Sequence, residues 1–293
     1  MNKLGLHISA DLTDSDFAQI RDLESICNQS EKINVKLNWG LMKMREPDKP
    51  SDFCFYEQGQ LVGYMPLDGF GDQFEITAIV HPAYRRQGIF KQLFAAAHQE
   101  AMRRNAARLL LVNYRNSQSG NATVRALGLP YYNSEYHMET SAAELTSLPA
   151  SQIQLVEVTA ENVRDLSSSL GSSFGAGEWN SEAALLADQQ RKDGKYYLAE
   201  LAGTQIGQIG MVDEGNQAVY IRAVGIAPEW RGHGYGRQLL SALVQKLRDE
   251  GYQRYALDVE TQNTNALSLY QSCGFHETNV YDYYTVPLAL VHG

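Results

Sequence analysis

Three residues in the second half of the 293-residue chain, Arg231, Gly234 and Gly236, have the types and spacing of an anion-binding turn. The apolar run at residues 220–227 predicts a buried strand before the turn, and leucines at helical spacing from residue 239 onward predict a helix after it. Glycines allow the backbone to approach a ligand closely, and the free amide groups of a helix N-terminus attract negative charge. The pattern therefore favours the binding of phosphate groups by main-chain N–H groups.

The glycine spacing excludes two common nucleotide-binding turns. A P-loop needs Gly-Lys-Ser or Gly-Lys-Thr at the start of its helix, and this turn contains neither. A dinucleotide fingerprint needs its third glycine three positions after the second, whereas Gly236 follows Gly234 by only two. Farther along the chain, an apolar strand at residues 255–259 precedes a second motif. This motif consists of Asn263, Ala266, Leu269, Tyr270, Gly274 and Phe275.

The two motifs, in this order, resemble the two signature sequences of the GCN5-related N-acetyltransferase (GNAT) family. The resemblance spans the whole second half of the chain and, more weakly, the first half. It implies acetyl-CoA as the co-substrate and direct transfer of the acetyl group to an amine. It also implies that Tyr270 acts as general acid and protonates the leaving thiolate. The cofactor-binding residues that it implies are Val224, Gly225, Ile226, Arg231, Gly232, His233, Gly234, Tyr235, Gly236, Arg237 and Asn263.

The sequence does not identify the base that takes a proton from the amine. An alkyl ammonium has a pKa near 10.4, so its deprotonation at pH 7 costs about 4.6 kcal/mol. Many family members have a glutamate on the strand before the glycine turn, but residues 218–223 contain no carboxylate. Glu178, Asp213 and Glu214 lie in segments that could border an acceptor site, although a solvated loop position explains each of them better. A water relay stays equally open, and His233 is expected to face solvent.

An internal repeat links the two halves of the chain. Residues 81–94 align with residues 227–240 without gaps at an offset of 146, and Gly128 meets Gly274 at the same offset. One offset held across two separated motifs indicates two copies of one structural unit. We therefore predict two domains, residues 1–145 and residues 152–293, joined by a polar linker.

Each copy is predicted to be a mixed, mostly antiparallel twisted sheet flanked by helices, which places the chain in the α/β (α+β) class. The predicted order is a strand, a helix, a hairpin of strands, the glycine turn, and then helix, strand, helix and final strand. Turns are predicted at Gln58-Gly59 and Asp68-Gly69 in the first copy, and at Ala202-Gly203 and residues 213–216 in the second. The tyrosine-rich segment 280–286 is predicted as the last strand of the second copy.

The first copy departs from the motif at two positions. Phe90 stands where the second copy has Gly236, and Val124 stands where it has Tyr270. Because valine has no proton to donate, we predict that the first domain is degenerate and forms a scaffold that walls the acceptor cleft. The second domain is then the catalytic one. Coenzyme binding without turnover stays open for the first domain.

Composition and charge narrow the partners and the compartment. The net charge of −9 disfavours binding to nucleic acid and to anionic membranes. There is no run of eighteen apolar residues and no signal-peptide pattern, so neither a membrane span nor secretion is expected. Cys27, Cys54 and Cys273 have no metal or disulfide spacing. These features predict a cytoplasmic protein without a metal site.

Two other classes of function stay open from the sequence: a non-catalytic acyl-CoA sensor, and a scaffold or assembly protein. The acceptor is expected to be the amine of a small molecule or a peptide. Polyamines, aminoglycosides, amino acids and peptide N-termini all fit, because acceptor-binding segments vary widely on a shared fold. A homodimer is compatible with the sequence.

Overall fold

The computed structural model describes residues 3–42, 45, 48–145, 150–175, 180–189 and 193–288. The chain divides into two compact units. The first consists of Met1–Ser134 together with Asn279–Gly293, and the second of Glu135–Thr278. None of the helices in these described ranges is long and apolar enough to cross a membrane.

The elements follow one another in the same order in both halves of the chain. Those of the first half are β1 (Gly5–Ser9), α1 (Asp14–Glu31), α2 (Trp39–Met42), β2 (Asp52–Glu57), β3 (Gln60–Phe70), β4 (Gln73–Ile76), β5 (Ile79–Val80), α3 (Ile89–Arg103), β6 (Arg108–Tyr114), α4 (Gln118–Leu127) and β7 (Tyr131–Ser141). Those of the second half are β8 (Gln154–Glu157), α5 (Val163–Phe174), α6 (Glu182–Gln189), β9 (Gly194–Leu201), β10 (Thr204–Gly215), β11 (Ala218–Ile226), α7 (Tyr235–Asp249), β12 (Arg254–Glu260), α8 (Thr264–Ser272) and β13 (His276–Val286).

Both units contain a mixed sheet with mostly antiparallel neighbours, so the predicted fold class is confirmed. In the first unit the strand order is β1, β2, β3, β4, β6, β13, and β4 runs parallel to β6. In the second unit the order is β7, β12, β11, β10, β9, β8, and β11 runs parallel to β12. The long helix after the glycine turn packs on each sheet, with α7 burying Leu239, Leu243 and Leu247 completely. Burial of each such side chain contributes about 1.5–3 kcal/mol.

The structure reproduces the internal repeat at the offset found in the sequence. The helices α3 and α7 both begin and end 146 residues apart, as do the strands β6 and β12. Gly88 and Gly234, which precede α3 and α7, have φ values of 84° and 80°. The two copies therefore share both their sequence pattern and their local backbone conformation.

The domain boundaries in the structure differ from the predicted limits, 1–145 and 152–293. Residues 135–141 of β7 pair with β12 and belong to the second unit, whereas residues 281–286 of β13 pair with β6 and belong to the first. The tyrosine-rich segment 280–286 is a strand as predicted, but its sheet partner lies in the other copy. The last strand of each sequence copy, β7 or β13, thus pairs within the sheet of the other copy. A sequence repeat specifies a strand but not the unit that it joins, because strand pairing is non-local.

Two predicted turns are misplaced. In the second copy, strand β10 continues through residues 213–215, and the chain reverses at Asn216 and Gln217. In the first copy, the turn predicted at Asp68-Gly69 is wrong. Strand β3 continues through Asp68 and Gly69, and the chain reverses at Gly71, whose φ is 68°. Asp68 is only 3% exposed; it accepts a hydrogen bond from Asn38 Nδ2 at 2.8 Å and forms an ion pair with Arg45. These partners stabilise the aspartate inside the strand, so tertiary contacts override its turn preference.

The exchanged strand β7 carries a titratable ion pair. His137 Nδ1 lies 2.6 Å from Asp258 Oδ1 on β12, and His137 Nε2 lies 3.3 Å from a Glu139 oxygen. Burial alone would lower the pKa of His137. The hydrogen bonds to the two carboxylates outweigh burial and raise that pKa to about 9.

This ion pair predicts a pH-dependent contribution to stability. The folded pKa of His137 lies above its unfolded value near 6.5, so the contribution is complete below about pH 6.5 and is lost as the pH rises through 9. We expect His137→Gln to lower the free energy of unfolding by up to about 3 kcal/mol at pH 6 and by much less at pH 10. Denaturant unfolding at the two pH values measures the difference. Equal losses of unfolding free energy at pH 6 and pH 10 would contradict the assignment of a charged His137 ion pair.

Candidate active site

The turn between β11 and α7 presents main-chain amides to open space. Gly232 and Gly234 both have a φ of 80°, and a Cβ atom added to either would meet no other atom within 4 Å. The amide of Arg231 donates to Pro228 and that of Gln238 donates to Gly234. In the described parts of the chain, the six amides between them have no backbone acceptor. Six N–H groups at the positive end of a helix form a site for anionic oxygens.

The two parallel strands beside this turn separate as they approach it. Strands β11 and β12 pair at three positions, from Ala218 and Arg254 to Tyr220 and Ala256, and the pairing ends there. Beyond these pairs, residues 221–226 pair with β10 on one side, and no strand of the described residues pairs with them on the other. Such an edge can bind an extended ligand through main-chain hydrogen bonds. Val224, Gly225 and Ile226, three of the predicted cofactor-binding residues, lie along it.

A β-bulge shapes the middle of this edge. Gly225 pairs with Gln208 and Arg222 pairs with Gly210, so β11 has one residue more than β10 between the two pairs. Ala223 has a φ of 54°, which is unfavourable for a residue with a side chain. The corresponding register in the first unit runs from Tyr64 and Ile79 to Leu67 and Ile76 without an extra residue. The bulge is therefore a feature of the second unit.

A buried polar network supports the bulge, and the sequence analysis did not find it. Gln208 is 0% exposed; its Nε2 donates to Ala223 O at 3.4 Å, and its Oε1 accepts from Ser169 Oγ on α5 at 2.5 Å. A Cβ atom on Gly225 would lie 2.1 Å from Gln208 Nε2, so the amide occupies the space that a side chain there would need. The available signal was a glutamine within the apolar strand around Ile206 and Ile209.

Two predicted cofactor-binding side chains mainly shape the turn itself. Arg231 Nε donates to Ile226 O at 2.8 Å and fixes the turn to the end of β11. His233 is exposed, with Nδ1 2.8 Å from Arg231 O, and its ring stacks on Tyr235 at a centroid distance of 6.0 Å. Tyr235 begins α7 and also contacts Trp230.

The other predicted residues join α7 to α8. A Cβ atom on Gly236 would lie 3.1 Å from a Leu269 methyl group, so the glycine permits close packing of the two helices. Arg237 lies beside the Cys273 thiol. Asn263 caps α8, because its side-chain oxygen accepts from the amide of Ala266 at 3.1 Å.

Tyr270, the predicted general acid, lies on α8 within the core of the second unit. Its side chain is 7% exposed and packs against Phe275 in an edge-to-face arrangement. Burial raises the pKa of Tyr270 to about 12. The hydroxyl makes no hydrogen bond to a described residue that shifts its pKa; burial and the nearby Cys273 thiol are the two causes. The hydroxyl therefore keeps its proton across the usual pH range.

Three carboxylates were considered as the base that takes a proton from the amine, and the structure treats each of them differently. Glu178 lies outside the described residues. Asp213 accepts hydrogen bonds from Tyr252 Oη at 3.1 Å and from the amide of Gly215 at 2.8 Å, so its carboxylate is held near the end of strand β10. Glu214 is exposed at the end of β10, far along the strand from the glycine turn. The described positions of Asp213 and Glu214 thus favour structural or solvated roles.

The first unit has an altered counterpart of this site. Arg86 has a φ of 64° where the second copy has Gly232, so it adopts a conformation that favours glycine. Phe90 stacks on Phe94 at 5.5 Å in the place of Gly236, and Val124 is buried in the core at the position of Tyr270. The turn has therefore kept its shape while the phenol has been lost.

Comparison with known proteins identifies the family to which the chain is similar. A sequence model of the "Acetyltransferase (GNAT) family" matches residues 162–275, and one of the "Acetyltransferase (GNAT) domain" matches residues 49–129. The chain is 28% identical over 255 residues to a mycothiol acetyltransferase of Saccharomonospora viridis, covering 78% of this chain and 81% of that protein.

Two solved structures share the whole fold. A GCN5-related N-acetyltransferase from Sphaerobacter thermophilus matches with a TM-score of 0.79 at 18% identity, covering 98% of this chain and 97% of that one. A tandem GNAT protein from the clavulanic acid biosynthesis pathway matches with a TM-score of 0.72 at 18% identity, covering 98% and 99%. The chain is thus a tandem member of the GNAT family, an acyl-CoA-dependent N-acetyltransferase that uses acetyl-CoA as its co-substrate.

Proposed function

We propose that the second unit transfers the acetyl group of acetyl-CoA to a primary amine of a small molecule, with Tyr270 as the general acid. The observation that carries the proposal is the row of six amides without backbone acceptors at the start of α7. The first unit is proposed to be non-catalytic, because Val124 replaces the phenol.

The residues of the turn fit a pyrophosphate. The space above Gly232 and Gly234 is open, and Arg231 adds a fixed positive charge beside the amides. A hydrogen bond to a charged oxygen is worth about 1.5–3 kcal/mol, so a few of these amides are enough for micromolar affinity. The unpaired edge of β11 would hold the pantetheine arm through the main chain of residues 224–226.

When bound, acetyl-CoA supplies the activated acetyl group. The chain positions the thioester at the bulge near Ala223 and keeps a protonated phenol available at Tyr270. As the amine nitrogen bonds to the carbonyl carbon, the carbon–sulfur bond breaks and the sulfur takes the phenolic proton. Solvent then returns a proton to the phenolate of Tyr270. The amine loses its own proton to water, since the described carboxylates Asp213 and Glu214 are held elsewhere.

The names of two relatives favour a small molecule over a peptide as the acceptor. One is the mycothiol acetyltransferase described above. The other is an aminoglycoside N(6')-acetyltransferase of Stenotrophomonas maltophilia, 36% identical over 63 residues that make up 22% of this chain and 41% of that protein. The first name contains mycothiol and the second contains an aminoglycoside, and both are small molecules.

A thiol-release assay with a panel of amines tests the proposal. Release of coenzyme A that depends on both acetyl-CoA and one amine is the expected result. Thermal stabilisation by acetyl-CoA should grow as RT ln(1 + [L]/Kd). Stabilisation without thiol release from any amine in the panel would instead support a sensor.

The Gln208 network gives a separate prediction about turnover. Gln208→Leu keeps the volume but removes the amide that holds the bulge, so the thioester would be misplaced. We expect kcat with an accepted amine to fall by about 10- to 100-fold. The KM for acetyl-CoA should change much less, because the glycine turn is untouched. Gln205→Leu on the same strand is the matched control, and an unchanged kcat in Gln208→Leu would remove the positioning role.

A further inference from the structure

The first unit contains a cavity of about 920 Å³ beside its own glycine turn. Arg85 and Gly88 of the turn line it, together with Val80 at the end of β5 and Ser119 at the start of α4. At the repeat offset of 146, these positions correspond to Arg231, Gly234, Ile226 and Asn265 of the second unit. The cavity therefore lies where the first copy would hold a coenzyme.

The carboxylate of Glu31, at the end of α1, lines this cavity and links the glycine turn to the start of α4. It accepts hydrogen bonds from Arg85 Nη1 at 2.5 Å, from Ser119 Oγ at 2.5 Å, from Ser117 Oγ at 2.9 Å and from the amide of Ser119 at 3.2 Å. The side chain is 9% exposed. Burial would raise the pKa of Glu31, but the hydrogen bonds from Ser119 and Ser117 and the charge of Arg85 lower it overall. Glu31 is thus a bound anion at the N-terminus of α4.

These contacts close the gap between the glycine turn and the start of α4. Arg85 Nη1, from the glycine turn, and Ser119 Oγ, from the start of α4, are both 2.5 Å from the same Glu31 oxygen, so they are at most about 5 Å apart. A methylene chain passing between two atoms needs about 3.5–4.0 Å to each of them. A pantetheine arm therefore cannot pass between these two atoms while the Glu31 carboxylate joins them.

The second unit keeps the arginine without the carboxylate. Arg85 Nε donates to Val80 O at 3.0 Å, as Arg231 Nε does to Ile226 O at 2.8 Å. Arg231 forms no ion pair with any carboxylate in the described ranges. The internal anion is thus a property of the first copy, added to a turn that otherwise has the conformation of its counterpart.

We propose that Glu31 is an internal ligand that occupies the coenzyme cleft of the first unit and excludes coenzyme A from it. The wild-type chain then binds one coenzyme, in the second unit, and removal of the carboxylate opens a second site for an acyl-CoA. This inference rests on the proposed function only for the occupancy of the second unit.

Isothermal titration of the full-length chain with coenzyme A tests the inference. We expect one site in the wild type and two in Glu31→Ala. Glu31→Gln, which keeps the volume but not the charge, is expected to show a second site of lower affinity. Asp22→Ala removes an exposed carboxylate from the same helix and should keep one site. In a Gly234→Val background, Glu31→Ala should bind one coenzyme and the parent none.

The outcomes separate the two proposals. Two coenzyme sites in the wild type would overturn the role of Glu31 and leave the proposed function intact. The same conclusion would follow if both Glu31 variants bound only one coenzyme while melting as cooperatively as the wild type. No site in the wild type would refute the proposed function. In that case a single site gained only by Glu31→Ala would still support the internal ligand.

Discussion

Gly234→Val is expected to abolish coenzyme A binding, raising Kd by about 100-fold or more. The glycine has a φ of 80°, a conformation that is especially unfavourable for a β-branched residue. The new side chain would also fill the open space that the phosphates need. Loss of two hydrogen bonds to charged oxygens costs about 3–6 kcal/mol, which corresponds to about 10²- to 10⁴-fold in affinity. Isothermal titration measures the change.

The repeat provides a matched control for this variant. Gly88→Val introduces the same side chain at the equivalent turn, where φ is 84°. It carries the same backbone strain but lies in the first unit, so the Kd for coenzyme A should stay within a few-fold of wild type. Equal loss of affinity in both variants would indicate a general folding defect, and unchanged affinity in Gly234→Val would refute the assignment of the turn.

Tyr270→Phe is expected to lower kcat by about 10²- to 10⁴-fold while coenzyme A binding is retained, which is the usual effect of removing a general acid. Phenylalanine preserves the packing against Phe275, so the core should remain intact. Burial and the Cys273 thiol, rather than a hydrogen bond to a described residue, shift the pKa of the hydroxyl, so its removal takes no hydrogen-bond partner from those residues. Steady-state kinetics with an accepted amine, combined with titration of coenzyme A, separates turnover from binding.

Tyr255→Phe is the control for this second experiment. Tyr255 belongs to the same core cluster and its hydroxyl donates to Tyr252 O at 2.9 Å. Its loss should destabilise the fold slightly and leave kcat unchanged. Wild-type turnover in Tyr270→Phe would exclude the phenol as the acid and point to solvent as the proton source.

The turn and its helix could be predicted from the sequence because they are local features. Glycines at Gly232 and Gly234 permit the left-handed backbone, and the leucines of α7 fix which face of the helix is buried. The constant offset of 146 residues between the two halves likewise predicted that the fold is present twice. Motif, backbone conformation and burial agree across these segments, which is typical of sequences that fold to one structure.

The features that escaped prediction are all non-local. The exchange of β7 and β13 depends on which copy each strand joins, and the periodicity of a strand is the same with either partner. The hydrogen bond from Ser169 to Gln208, which supports the bulge, connects residues far apart in the chain. So does the contact of Glu31 with Arg85, since nothing near Glu31 in sequence indicates an anion site.

Hydrogen–deuterium exchange of the glycine turn with coenzyme A tests the central assignment most directly. The amides from Gly232 to Arg237 have no backbone acceptor in the described chain, so they should exchange rapidly alone and become protected when the pyrophosphate binds. Pantetheine, which has no phosphate, should not protect them. Protection confined to the first unit's turn, around Gly88, or no protection in either turn, would contradict the account.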